Sequence, residues 1–267
     1  MSNEIAELFG QLKLKYAREA YKKMAEDATL MASATVDDAL MSILSAEIDG
    51  RADARRKMLL MLARIPVPAD MRDVSYDDNR GSEFARLMAR VRTMSLFSNG
   101  SNLCILGSSG SGKTFVASAL AREAVANGYS TVFSNTRDLA ARMSEKRAQG
   151  STPYKLARER LARQQLLILD DFCLAKPTED EIQSLFDIMN DRSGKHSTMV
   201  LSQKDHNRWL EEIGITAIGE AVVERIMAGS LTIVLGTGSR RRTLDDAAST
   251  GAAPSSAMQS APDAAAS

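Results

Sequence analysis

The stretch Gly107-Ser-Ser-Gly-Ser-Gly-Lys-Thr114 decides the fold class. It matches G-x-x-x-x-G-K-[ST] at every fixed position, and its flanks are the ones the motif requires. The aliphatic run Leu103-Cys-Ile-Leu106 precedes it as a strand, and Phe115-Val-Ala-Ser-Ala-Leu-Ala-Arg122 follows as a helix. Gly107, Gly110 and Gly112 let the backbone curl so that N–H groups point inward, with Ser108, Ser109, Ser111 and Phe115 completing the curl. Those N–H dipoles and the helix N-terminus suit a nucleotide β-phosphate. Lys113 is placed to bridge the β- and γ-phosphates, and the Thr114 hydroxyl to ligate Mg²⁺.

Downstream, Leu166-Leu-Ile-Leu-Asp170-Asp171-Phe172 reads as a strand buried on both faces with two acids at its C-terminal end. Open α/β sheets bind ligands at that end. Asp170 is the candidate to hold Mg²⁺, through water, and Asp171 to polarise an attacking water. Further short aliphatic runs, Thr131–Ser134, Thr198–Ser202 and Leu231–Leu235, alternate with amphipathic helices. That alternation predicts a five-stranded parallel sheet covered on both faces. The strand Ser197-Thr-Met-Val-Leu-Ser202-Gln203 is expected beside the acidic strand, with Ser202 or Gln203 reaching the γ-phosphate or the lytic water. Between these strands Thr178 and Glu181 form a capping box, and Ile182, Leu185, Phe186 and Met189 the buried face of its helix.

Residues 1–66 read as a small all-helical region. Ile5, Leu8, Phe9, Leu12 and Tyr16 follow helical spacing, as do Val36, Leu40, Ile43, Leu44 and Ile48 behind a Thr35/Asp38 cap. Gly50 is expected to separate that second helix from a third at about 52–64. The prolines of Arg64-Ile-Pro-Val-Pro68 then forbid helix and mark the boundary to residues 67–244. Residues 245–267 are Ala, Ser, Pro and Asp without Lys or Arg, and read as a disordered tail.

Composition narrows the class. In 267 residues, 34 basic side chains balance 34 acidic ones, which excludes a uniformly basic nucleic-acid wrapper. Residues 1–70 hold 10 basic and 11 acidic side chains and the tail three aspartates, so the mild positive excess falls on the core. Local clusters remain: Lys13 to Lys23, Arg51 to Lys57, Arg80 to Arg92 and Arg240 to Arg242, read equally as solvated faces or phosphate contacts. Aromatics at 5% predict an aliphatic core. Cys104 and Cys173 are too few for a disulfide framework and read as buried small side chains. Trp209 reads as packing, and His196 and His206 as surface or loop residues. No run of about 20 apolar residues is present, and the expectation is a soluble cytoplasmic protein. Arg225, near the end of Ala221–Met227, has two readings, of which pattern alone favours the first. It is either a surface partner of Glu220 or Glu224, or a finger completing a neighbouring subunit's site.

Taken in order, these segments resemble the IstB-like ATPases that assist transposition of insertion sequences, relatives of the DnaC helicase loaders and DnaA initiators. The likeness spans about residues 5–243. It runs through the helical front, the linker Ile65–Tyr76, the loop Gly107–Thr114, Asn127–Phe133 and Leu166–Phe172. It continues through Leu185 to Arg192, Ser197–Gln203 and Glu224–Gly236. The resemblance implies an AAA+ core without a helical lid. It also implies ATP and Mg²⁺ as cofactors, ATP-dependent self-assembly on duplex DNA, and delivery of a transposase to its target, with no membrane partner. By similarity Asp170 and Asp171 are the acidic pair, Gln203 with Ser202 the polar sensor, and Arg225 the finger. Two positions depart from the family pattern: Asp171 stands where Glu is usual, and Gln203 where Asn is usual. The alternatives weighed against this reading are a DnaC-like replicative helicase loader, a P-loop small-molecule kinase, and a nucleotide-gated binder with negligible turnover.

Overall fold

The computed structural model describes residues 3–27, 29, 33–74, 89 and 95–236. Among the described residues the front holds α1 (Asn3–Gln11), α2 (Lys15–Glu26) and α3 (Val36–Ala63). A 3-10 turn (Met71–Asp73) and a one-turn helix (Ser95–Ser98) precede β1 (Leu103–Leu106), α4 (Lys113–Ala126), β2 (Thr131–Asn135), α5 (Thr136–Ala148) and α6 (Ser151–Ala162). They are followed by β3 (Leu166–Asp170), α7 (Glu179–Arg192), β4 (Ser197–Ser202), α8 (His206–Ile213), α9 (Ala217–Met227) and β5 (Leu231–Val234). The five strands form one sheet in the order β2-β3-β4-β1-β5, and every pairing is parallel. The expected sheet is therefore present, and β4 does lie beside the acidic strand.

Alternation along the strands splits the core into two layers. Leu103, Ile105, Leu166, Ile168, Met199, Leu201 and Ile233 face α4, whose Val116, Ala117 and Leu120 complete that layer. Cys104, Leu167, Leu169 and Val200 face the other way, onto α5, α7, α8 and α9 through Leu139, Ile188, Trp209 and Ile226. Leu166 to Leu169 are all fully buried, as a strand covered on both faces requires. Trp209 is a core residue, edge-on to Phe172 with ring centroids 5.0 Å apart. Both cysteines are buried, and burial pushes the Cys104 thiol up to about 11 and the Cys173 thiol up to about 12.

The helical front differs from expectation in two respects. The stretch Ile5 to Tyr16 is broken by a turn at residues 12–14, where Lys13 takes φ 55°. α3 runs unbroken through Gly50 for 28 residues, so the second and third predicted helices are one. A glycine inside a helix costs about 1 kcal/mol relative to alanine but does not end it. Here it admits a neighbour: a Cβ at Gly50 would lie 2.2 Å from Cγ of Tyr16 on α2. The Thr35/Asp38 cap forms in both directions despite the shorter acid. One feature had no signal in the periodicity. Glu47, buried within α3, accepts the N–H groups of Tyr16 and Ala17 at 2.8 Å each and pairs with Arg51 at 2.6 Å. It thereby caps α2, which has no side-chain cap of its own. Arg51 also donates to the Lys13 carbonyl, so this member of the basic clusters holds the front together.

The C-terminal end of α3 meets the core where Leu59 and Ala63 pack on Val125 of α4. Arg64 then turns in a left-handed conformation, φ 53°, ahead of the two prolines. The expected lack of a helical lid after β5 falls on residues outside those described. The tail, the arginines at 80, 86, 90 and 92, and the run Arg240–Arg242 lie outside the described residues. No helix among the described residues is long and apolar enough to cross a membrane.

Candidate nucleotide-binding site

The loop between β1 and α4 is tied to the sheet at its start, where Gly107 N–H donates to the Ser202 carbonyl at 3.1 Å. A Cβ at Gly107 would stand 2.6 Å from Ser111 Oγ and 3.0 Å from the Leu235 carbonyl, so only glycine fits. Gly112, at φ 89°, turns the chain into α4 and supplies no side-chain cap. The first-turn N–H groups of α4 are therefore free of a side-chain acceptor and favour an anion. Ser111 Oγ, curled inside the loop, is buried with no hydrogen-bond partner among the described residues.

Lys113 is buried, and its ammonium donates to the Gly107 and Ser108 carbonyls at 2.8 and 2.9 Å. Burial holds its pKa below the ordinary lysine range, while Asp170 and Asp171 pull it back up. Thr114 Oγ1 donates to Asp170 Oδ2 at 2.9 Å. Burial raises the Asp170 carboxyl above its usual range, against the Thr114 hydroxyl, the Asp171 N–H and Lys113, which lower it. A hydroxyl and a carboxylate side by side are hard oxygen donors of the kind Mg²⁺ takes. No group of three or more His, Cys, Asp or Glu among the described residues could hold a metal alone. An ion here needs water and nucleotide phosphate as further ligands, which is the usual Mg²⁺ arrangement.

Asp171 sits just past the strand at φ 55°, a region in which Asp is tolerated better than most residues. Its N–H donates to Asp170 Oδ1 at 2.9 Å, and its carboxylate accepts from Asn135 Nδ2 at 3.2 Å. Asn135 is a site residue that the sequence reading missed. It ends β2 opposite Asp170, and its Oδ1 caps α5 by accepting the Arg137 and Asp138 N–H groups. A polar residue at a strand end directly before a helix was the available signal. Thr136 Oγ1 fixes the end of β3 by donating to the Asp170 carbonyl at 2.7 Å. A cavity of about 130 Å³ opens beside Asp171, with Asn135, Arg137, Lys176 and Leu185 in its wall.

The two candidates at the end of β4 separate. Ser202 is fully buried. Its hydroxyl donates to the Phe172 carbonyl at 2.8 Å and accepts from Trp209 Nε1 at 2.9 Å and from Lys204 N–H at 3.1 Å. Every hydrogen-bonding position of the hydroxyl is thus occupied internally, so Ser202 is corrected to a core residue that cannot reach a phosphate or a water. Gln203, the next residue, is exposed.

Arg225 is held on the α7–α9 side. It donates to the Ala221 carbonyl and to Asn190 Oδ1 and stacks on Phe186. Pairing with Glu220 or Glu224 does not occur, and within one chain Arg225 does not join the loop and the acidic strand.

The chain is similar to several known proteins. An IS21-like insertion-sequence ATP-binding protein of Bacteroides fragilis is 30% identical over 209 residues, 78% of this chain and 78% of that one. The fold resembles the crystal structure of the DnaC helicase loader, at 20% identity and TM-score 0.52 over 63% of this chain and 97% of that one. It also resembles AMPPCP-bound DnaA from Aquifex aeolicus, at 20% identity and TM-score 0.54 over 64% of this chain and 51% of that one. These likenesses show that the chain shares the fold of those proteins. The family model described as IstB-like ATP binding protein matches residues 7–247, and the chain belongs to that family of ATP-binding proteins.

Proposed function

We propose that the protein is an AAA+ ATPase that assembles with other copies of itself on duplex DNA and there recruits or regulates a transposase of the same insertion element. The observation that carries the hydrolytic part is the contact of Thr114 with Asp170, with Asp171 held next to it by Asn135. The insertion-sequence setting of the relative from Bacteroides fragilis supports the rest.

In this reading Gly107, Ser108, Ser109, Gly110, Ser111, Gly112 and Phe115 shape the phosphate cradle, and Lys113 leaves the loop carbonyls to bridge β- and γ-phosphates. Thr114 and Asp170 would hold Mg²⁺, which would supply positive charge against that of the phosphates. Asp171 orients the attacking water, Gln203 senses the γ-phosphate, and Arg225 reaches the site of a neighbouring subunit. Residues 1–66 serve self-assembly or contact with DNA or the transposase, and 67–244 the ATPase.

The test is ATP turnover and sedimentation of the full chain, with and without duplex DNA. Turnover stimulated by DNA, in a large assembly that needs nucleotide, is the expected result. A monomer that phosphorylates a metabolite overturns it in favour of a kinase, and an assembly that never hydrolyses ATP in favour of a gated binder. Preference for single-stranded DNA moves the reading to a helicase loader. Lys113→Ala is expected to abolish nucleotide-dependent assembly. Arg225→Ala is expected to keep ATP binding and lower turnover about 10³-fold.

A further inference from the structure

Arg225 is a cation held without a counter-charge. Its guanidinium lies 4.8 Å from the centre of the Phe186 ring and donates to Asn190 Oδ1 at 3.1 Å and to the Ala221 carbonyl at 3.0 Å. All three partners are neutral, and among the described residues no carboxylate pairs with it. Phe186 and Asn190 stand four residues apart on α7, and so present one face to α9. The main chain is fixed as well. Buried Asn102 donates to the Arg225 and Ile226 carbonyls at 2.9 and 3.0 Å and accepts the Thr198 N–H at 2.8 Å. The end of α9 is thereby pinned to the start of β4.

We infer that Phe186 and Asn190 are positioning residues that pre-orient Arg225 for the nucleotide phosphate of a neighbouring subunit. The proposal rests on the reading of Arg225 as a finger acting between subunits. An aromatic face and an amide oxygen fix the direction of a guanidinium while leaving its charge unneutralised. A carboxylate in their place would hold it more firmly but cancel the charge the transition state needs. Pre-orientation matters because a donor already aimed at developing charge needs no reorganisation when the reaction occurs. Asn190 is exposed, so removing its side chain leaves the core intact.

Mixed assemblies test this. Full-length Arg225→Ala subunits keep their own loop and acids but lend no finger. Full-length Asp171→Asn subunits lend a finger but cannot orient water. Each alone is expected to be nearly silent, and the mixture to recover DNA-stimulated turnover where the two meet. Asn190→Ala, and separately Phe186→Leu, is then added to one partner only. Placed in the Asp171→Asn subunit, either change is expected to lower the recovered turnover about ten-fold at an ATP KM within about two-fold. Placed in the Arg225→Ala subunit, it is expected to change nothing. Equal loss in both placements, or no loss in the Asp171→Asn placement, overturns the positioning role while the finger reading stands. If the mixture sediments as an assembly and recovers no turnover, the finger reading fails and the positioning role falls with it.

Discussion

Thr114 Oγ1 and Asp170 Oδ2 lie 2.9 Å apart, joining the first turn of α4 to the end of β3 across β4, which separates β1 from β3 in the sheet. The sheet order makes the contact possible, because a parallel arrangement brings all strand ends to one edge. Thr114→Val keeps the shape of the side chain and removes its hydroxyl. The expected outcome is Mg²⁺-dependent ATP affinity weakened about 10- to 100-fold, with the fold unchanged. Titration with labelled ATP at rising Mg²⁺ checks it, and an unaltered Mg²⁺ dependence would exclude Thr114 as a ligand.

Asp170 also sets a stability prediction with a definite sign. Burial, the largest influence, raises its carboxyl above the ordinary 3.8 in spite of the Thr114, Asp171 and Lys113 contacts that lower it. The folded protein therefore holds the Asp170 proton more tightly than the unfolded chain does. Over the pH interval between the two values, stability falls as pH rises. Asp170→Asn removes the half-buried charge, so in the absence of nucleotide it is expected to melt about 2–4 °C higher at neutral pH. The gap is expected to close as pH drops below both values. Added Mg²⁺ and ATP should raise the melting temperature of the wild type and leave the variant nearly unmoved. A variant that melts lower than wild type at neutral pH would show that the hydrogen bonds outweigh the burial.

Ser202 and Gln203 are adjacent in sequence and opposite in consequence. Ser202→Ala leaves the Trp209 indole N–H and the Phe172 carbonyl unpaired in the core, and is expected to lower unfolding free energy by about 2–3 kcal/mol. Gln203→Ala changes an exposed residue and is expected to shift stability by less than about 0.5 kcal/mol while lowering ATP turnover. Urea titration and ATPase rates on both variants check the split. Reversal, with turnover lost in a fully stable Ser202→Ala, would contradict the buried placement.

The pattern of Leu166 to Phe172 was legible because a strand covered on both faces must be apolar throughout, and the acids at its end have no buried alternative. The P-loop was legible because its glycines and lysine serve one geometry at fixed spacing. Asn135 and Ser202 were harder, since a polar residue at a strand end reads the same whether it turns outward to a ligand or inward to an indole. Only the positions of Trp209 and Asp171 separate the two cases, and those are set by tertiary packing. The capping of α2 by Glu47 lies 30 residues away along the chain and leaves no trace in local periodicity.

Gly50 shows the same limit and yields the last prediction. By helix propensity alone, Gly50→Ala within α3 stabilises by up to about 1 kcal/mol. The structure predicts the reverse sign, because the new Cβ falls 2.2 Å from Tyr16 Cγ. Glu47 holds the Tyr16 and Ala17 N–H groups, so Cγ can withdraw only by a change of the Tyr16 χ1 rotamer or by a shift of α2 as a whole. Either Tyr16 leaves its rotamer and its packing or α2 moves off α3, and the expected loss is about 1–3 kcal/mol in urea titration. Shortening the neighbour in Tyr16→Ala/Gly50→Ala makes room for the Cβ, so the second alanine should cost less there than in the wild-type background. If Gly50→Ala alone proves more stable than wild type, the close approach of α2 to α3 is refuted, and Gly50 is only a weak point in a long helix.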